Sequence, residues 1–193
     1  LLDDDTQNRR VIIQALASLK VSNSLPKIKK IVEEGDLSKA VYGAAIAAVS
    51  QLSEKKYRLN ELQKLLTDHN QTARQNAIQD AINANAYELI PSILITPASP
   101  FFRLRAVNKL WKGNEIEKKL GSELTEIIDF LILDDPKNMN LSIEASDNIS
   151  VQYLINELFN PDFNKCYWAL KKLIDFQSDE IWIVVSDRLN HFK

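Results

Sequence analysis

The 193-residue sequence has one cysteine, two histidines and only four glycines, and each shortage removes a class of chemistry. With Cys166 alone, neither an intrachain disulfide nor a cysteine-rich zinc site can form, and a reducing compartment is the simpler fit. His69 and His191 stand far apart in the chain, so no structural metal site is expected. No GxGxxG, P-loop, HExxH or GxSxG occurs, and four scattered glycines cannot cradle a phosphate, which argues against nucleotide-dependent chemistry. Apolar runs such as Phe130-Leu131-Ile132-Leu133 fall far short of the roughly 18–20 residues that cross a bilayer, so no membrane span is expected. Positive charge is not in excess either: 24 basic side chains face 26 acidic ones, for a net charge of −2. Nucleic-acid binding through counterion release is therefore disfavoured. The opening LLDDDTQNRR lacks a basic leader and reads as a trimmed or frayed end without an address.

What is present is ordinary for a folded chain, with 45% hydrophobic and 26% charged residues. The length favours a single domain over residues 1–193. Alternation of period two is scarce and helical spacing is everywhere. Ile116, Leu120, Leu124, Ile127 and Leu131 recur at steps of four and three and predict one apolar stripe. Val151, Leu154, Ile155, Leu158 and Phe159 predict another.

The organising pattern is repetition. Ala15, Ala45, Ala77, Ala106 and Ala169 each precede an apolar residue and have another apolar or small residue four positions on; Ala145 precedes Ser146 instead, with Ile149 four positions on, so the fifth repeat is poorly formed. After nearly every one comes a second helical segment: LPKIKKIV, LNELQKLL, LIPSILI, LTEIIDFLIL, VQYLINELF and IWIVVSDRL. Helix pairs with a small residue at the point of closest approach predict an all-α fold, a right-handed α-α superhelix of HEAT-like type with about five to six pairs. The run Gly43-Ala44-Ala45-Ile46-Ala47-Ala48 suits the tightest packing. Pro26 and Pro91 fall in the first turn of a second helix, where a missing N–H costs nothing.

Polar chemistry is sparse. In LTDHNQTARQNAI, Asp68, His69 and Arg74 form either a reactive cluster or a turn, with Asn70 or Thr72 capping a helix that begins near Ala73. Arg74, Arg103 and Arg105 lie at the starts of first helices, where guanidinium groups can clamp carboxylates; the alternative is that an Asp and an Arg such as Asp68 and Arg74 tie a turn to its neighbours. Phe101, Phe102 and Trp111 are candidates for a flat apolar surface, as are Tyr167, Trp168 and Trp182. Cys166 lies in the small-residue helix CYWALKKLI, which favours a structural role over a thiol nucleophile.

The segment LTDHNQTARQNAIQDAI resembles the HN-x-TAR-x-x-AI stretch of the F-type subunits of the E/F phycobilin lyases. YGAAIAAVSQL one repeat earlier and FFRLRAVNKLW one repeat later are similar to that family's flanking helices, so residues 40–112 carry the likeness. NANAYELIP and CYWAL depart from the family pattern. The resemblance implies a bilin lyase subunit, or a lyase-assisting factor, that helps join a linear tetrapyrrole to a phycobiliprotein cysteine by a thioether. It implies no permanently bound cofactor, a phycobilin as substrate or transient ligand, a phycobiliprotein subunit of phycocyanin or phycoerythrin type as acceptor, and an E-type or larger lyase subunit as partner. Enzymatic activity is left open and, if present, requires the partner. It implies a location in the cytoplasm of a cyanobacterium or the plastid stroma of an alga.

On this resemblance Asp68 faces the pyrrole nitrogens and His69 relays a proton, being the side chain that titrates nearest neutrality. Arg103 and Arg105 hold propionates, and Arg74, Phe102 and Trp111 are further bilin-binding candidates. Three other readings stand beside it: a chaperone-like member that stabilises a phycoerythrin-type acceptor or a partner lyase, a general HEAT adaptor for a protein partner, and a glycosylase-like HEAT protein, which needs a basic groove.

Overall fold

The computed structural model describes residues 4–35, 37–112, 116–118, 121, 123–143, 149–175 and 179–190. Among them all regular structure is helical. The longer helices are α1 (Asp4–Ser18), α2 (Leu25–Glu34), α3 (Lys39–Ser53), α4 (Leu59–Leu65), α5 (Gln71–Asn83), α6 (Ile90–Leu94), α7 (Pro100–Leu110), α8 (Leu124–Leu133), α9 (Val151–Glu157), α10 (Phe163–Asp175) and α11 (Asp179–Asn190). None is long and apolar enough to cross a membrane.

The first helices α1, α3, α5 and α7 pack side by side in a row, while α2, α4 and α6 each lean on the first helix that follows. This is the layered connectivity of an α-solenoid. Within the expected pairs, direct packing is clearest for α3/α4 and α7/α8, while α2, α4 and α6 make their larger contacts with the first helix of the next pair. The first helix expected around Ala145 lies outside the described residues, which leaves α9 packed on α10 and α11.

Small residues set the spacing. Ala45, Ala77, Ala106 and Ala169 are all fully buried, but Ala15 is exposed and Ala17 takes its place against the neighbouring helix. The phase of the first repeat is therefore two residues later than the alanine pattern predicts: Ile13 and Ala17 face the core, and Val11, Ile12 and Ala15 do not. In α3, Val41 and every residue from Gly43 to Ser50 are buried, as a helix enclosed by neighbours on all sides requires.

Helix ends follow local chemistry. Pro26, Pro91 and Pro100 sit in first turns. Gly35 closes α2 at φ 75°, a left-handed conformation that an L side chain resists. Glu123 and Glu126 form a capping box that starts α8. That start splits the predicted stripe. Ile116 belongs to a separate helical turn, Gly121 reverses the backbone at φ 68°, and only Leu124, Ile127 and Leu131 share α8. Leu120 lies outside the described residues. In the second stripe Val151, Leu154 and Ile155 are buried, whereas Phe159 falls beyond the end of α9 and is exposed.

One buried ion pair crosses the row. Arg10 of α1 donates from Nη1 to Asp80 Oδ2 (2.9 Å) and from Nη2 to Asp80 Oδ1 (2.7 Å) on α5, and also to the Ala40 carbonyl at the start of α3. Burial raises the Asp80 carboxyl to about 6, because desolvation of the carboxylate outweighs the attraction of Arg10. The unfolded carboxyl loses its proton near 3.8, so the folded chain binds the extra proton between those values. The stabilisation from that proton is complete below the lower value and is lost as pH rises through about 6. Between pH 5 and pH 7 the wild-type urea midpoint is expected to fall relative to that of Asp80→Asn, and parallel profiles for the two proteins would refute the assignment.

The apolar interior comes in two clusters. One runs from Ile13 to Leu131 through α1–α8, and the other joins Val151, Leu154, Ile155, Trp168, Ala169 and Leu173 in α9 and α10. Polar side chains join the elements that carry them.

Candidate functional site

The turn before α5 is built from its own side chains. Asp68 accepts from the Asn70 N–H (2.8 Å), and Asn70 caps the helix by accepting from the Ala73 N–H (3.1 Å). The helix begins at Gln71, two residues earlier than predicted, with Asn70 rather than Thr72 as its cap.

Arg74 is completely buried. It donates to the carbonyls of Asp68 (2.8 Å), His69 (2.9 Å) and Pro97 (3.0 Å), and to Asp162 Oδ1 (2.6 Å). One repeat later Arg103 does the same work. Also fully buried, it donates to the carbonyls of Ala98 (3.1 Å) and Leu94 (2.9 Å), to Asp134 and to the Tyr167 hydroxyl (2.6 Å). Each arginine ties the turn ahead of its own helix to a carboxylate from a later layer. Neither guanidinium reaches solvent, so the expectation that Arg74 and Arg103 clamp a ligand is corrected: their carboxylates come from this chain.

Asp68 is also occupied. Its burial works to raise its pKa, but the Lys39 ammonium at 2.6 Å and the Asn70 N–H outweigh this and hold the carboxyl below the usual range. His69 is exposed in the turn, with its carbonyl on Arg74. Asp68 lines a polar groove with Lys39, Asn70, Thr72 and Asn76, apart from Arg105 and Trp111. The predicted cluster is therefore not one site.

Arg105 and Trp111 do come together. Helix α7 starts on the Ser99 cap, whose hydroxyl accepts from the Phe101 N–H (3.3 Å). Arg103, Ala106, Val107 and Leu110 turn inward. This leaves Phe101, Leu104, Arg105 and Asn108 on the outer face, with steps of three, one and three. Across from them stand Leu124 and Ile128 of α8, and the groove between the two helices, closed by Trp111, has a volume of about 510 Å³. That size falls within the range of sites for small organic ligands. Phe101 rather than Phe102 lines it: Phe102 packs on the core and meets Phe101 edge-on, with ring centroids 6.3 Å apart. The groove offers apolar and aromatic walls, one guanidinium and one amide, which suits a flat conjugated anion.

The second aromatic surface does not form. Tyr167 and Trp168 are buried and Trp182 is exposed on α11. The Tyr167 hydroxyl donates to Asp134 Oδ2 (2.6 Å), and burial together with that carboxylate pushes its pKa above the ordinary phenol value. Cys166 is half-buried and its thiol lies 3.2 Å from the Leu158 carbonyl. Burial, then the Asp134 charge, raise its pKa, the reverse of what activates a nucleophile.

No family model matches the chain. It is 32% identical over 187 residues to the bilin biosynthesis protein CpeY of Synechococcus sp., a match covering 97% of this chain and 44% of that protein. It is 33% identical over 177 residues to the uncharacterized phycocyanin operon protein Y of Pseudanabaena tenuis, covering 91% of this chain and 41% of the relative. The chain thus spans less than half the length of these curated relatives. The likeness extends well beyond residues 40–112, since nearly all of the chain aligns. By these matches nearly the whole chain is similar to part of a cyanobacterial bilin biosynthesis protein, and its all-helical layered fold agrees with the expected solenoid.

Proposed function

We propose that this chain assists the attachment of a linear tetrapyrrole to a phycobiliprotein by holding the bilin in the α7–α8 groove, together with a larger lyase partner. The groove carries this reading: Phe101 and Trp111 offer aromatic faces to the conjugated rings, and Arg105 offers a cation to a propionate. The similarity to a protein named for bilin biosynthesis supports it.

In the attachment step the acceptor thiolate forms a C–S bond at the bilin's exocyclic double bond. The π electrons pass into the conjugated system, and a proton is taken up by the carbon framework. No described residue lining the groove is an acid or base that titrates near neutrality. The groove therefore binds and orients, and the proton comes from the partner, the acceptor or solvent. This favours a presenting or chaperone-like role over catalysis by the chain itself.

The test is co-production of the chain with a bilin source and an apo-phycobiliprotein, with and without a larger lyase subunit. Covalent chromophore is read by zinc-enhanced fluorescence on a denaturing gel. Attachment that requires both chain and partner is expected; attachment unchanged by omitting this chain would refute the proposal. Arg105 is exposed, so Arg105→Ala is expected to leave stability within about 0.5 kcal/mol of wild type. It is expected to lower attachment by roughly five- to tenfold, the size of one solvent-screened charge-assisted bond. His69→Gln is expected to leave attachment within about twofold, since a residue outside the groove contributes no binding term there.

A further inference from the structure

The edge that α7 gives to the α7–α8 groove is cationic. Arg105 lines the groove, and Lys109 stands four residues on, one helical turn further along the same outer side. Both are exposed, and among the described residues neither has an acidic partner. Arg9, Arg10, Arg74 and Arg103, by contrast, each meet a carboxylate of the chain. Like charges four residues apart on a helix repel, and no described residue lining the groove is acidic to relieve them. The carbonyl end of α7 accounts for a cation at Lys109 but not for Arg105 in the middle of the helix. The chain as a whole carries a net charge of −2, so what draws an anion to this edge is the local pair.

The pair lies between the two aromatic residues of the groove. Phe101 and Trp111 stand at the two ends of α7, about 15 Å apart along its axis. A linear tetrapyrrole has the matching order, with conjugated outer rings at both ends and two propionates on neighbouring inner rings. Residues four apart on a helix place their Cβ atoms about 5–6 Å from each other, a separation that two carboxylates on short flexible arms can meet. We infer that the groove reads a dicarboxylate, with Arg105 holding one propionate and Lys109 the other. Lys109 is then a further binding residue of the site. Two anchored carboxylates fix how the ligand lies along α7, whereas a single one leaves it free to swivel. The inference rests on the α7–α8 groove being the bilin site.

Absorbance titrations of the full chain with biliverdin and with biliverdin dimethyl ester, which keeps the rings and removes both charges, test it. Wild type is expected to bind the acid roughly ten- to twentyfold more tightly than the ester. Arg105→Ala and Lys109→Ala are each expected to weaken the acid roughly fivefold, the upper end for one exposed ion pair, and to leave the ester within about twofold. In the double variant Arg105→Ala/Lys109→Ala, acid and ester are expected to bind alike, and Lys109→Arg is expected to bind as wild type does. Lys55→Ala removes an exposed cation outside the groove and is expected to change neither affinity. Circular dichroism melts confirm that each variant is folded; if Lys109→Ala is not, Lys109→Gln replaces it. A loss with Arg105→Ala and none with Lys109→Ala overturns the inference and leaves the groove reading standing. An equal loss with Lys55→Ala also overturns the inference, since the effect is then one of general charge. Biliverdin that does not bind, or that binds Phe101→Ala and Arg105→Ala as tightly as wild type, overturns the groove reading and the inference with it.

Discussion

Arg103→Met is expected to destabilise the protein by about 3–5 kcal/mol, the cost of breaking a buried charge network from one side. The methionine fills much of the volume but supplies none of the bonds. The carbonyls of Leu94 and Ala98 are left without their donor, and each costs about 1–3 kcal/mol when buried and unpaired. Asp134 is 24% exposed and regains some water, which holds the total within that range. Arg103→Lys is expected to recover less than half of the loss, because one ammonium cannot reach carbonyls, carboxylate and hydroxyl together. The damage is also expected to be uneven. Hydrogen exchange in α10, which carries Tyr167, should accelerate more than in α3 and α5, which sit in the larger apolar cluster. A loss under about 1 kcal/mol in urea unfolding, or equal acceleration everywhere, would contradict the assigned role.

Gly43→Ala is expected to cost about 2–4 kcal/mol despite the better helix propensity of alanine, which by itself is worth about 1 kcal/mol in the other direction. A Cβ at this position would stand 2.6 Å from Asp80 Oδ2 and 3.1 Å from Leu65 Cδ1. A carboxylate at the end of a free side chain would swing away, but this one is held by both terminal nitrogens of Arg10. Moving it breaks the pair; keeping it forces α3 and α5 apart. Thermal unfolding of the variant decides the sign, and a melting temperature at or above wild type would show that the site relaxes without loss. The double variant Gly43→Ala/Asp80→Ala is expected to lose less than the sum of the two single changes, because the clash exists only while the carboxylate does.

These sites also show where the sequence is readable. Helical repetition and small-residue contacts rest on local spacing, so Ala45, Ala77, Ala106 and Ala169 and the first-turn Pro26 and Pro91 were legible, and the cap of α5 was narrowed to Asn70 or Thr72. Ala15 misled because Ala17 follows at a distance that keeps the same composition and changes the face. Phe102 and Phe101 differ by one residue, about 100° around a helix, which is enough to exchange core for groove. The arginines misled for a different reason. Their position at helix starts is local, but their partners are not: Arg74 meets Asp162, Arg103 meets Asp134, and Arg10 meets Asp80 across separations of 88, 31 and 70 residues. No periodic signal joins such pairs. The α7–α8 groove was half visible, since Arg105 and Trp111 both line it, while Leu124 and Ile128 belong to a helix whose approach no motif announces.

The paired arginines carry one more consequence, for the order in which the chain becomes complete. Helices α1–α7 contain Arg74 and Arg103, but the carboxylates that satisfy them arrive with residues 134 and 162. A chain emerging from synthesis has its first layers before those residues exist, and at that stage it presents two guanidinium groups with no acid opposite them. The later segment thus acts as an internal ligand, a tethered anion that closes a site the earlier half leaves open. The LTDHNQTARQNAI stretch looks like part of an anion-binding site because it is one, and the anion it binds is Asp162 of its own chain.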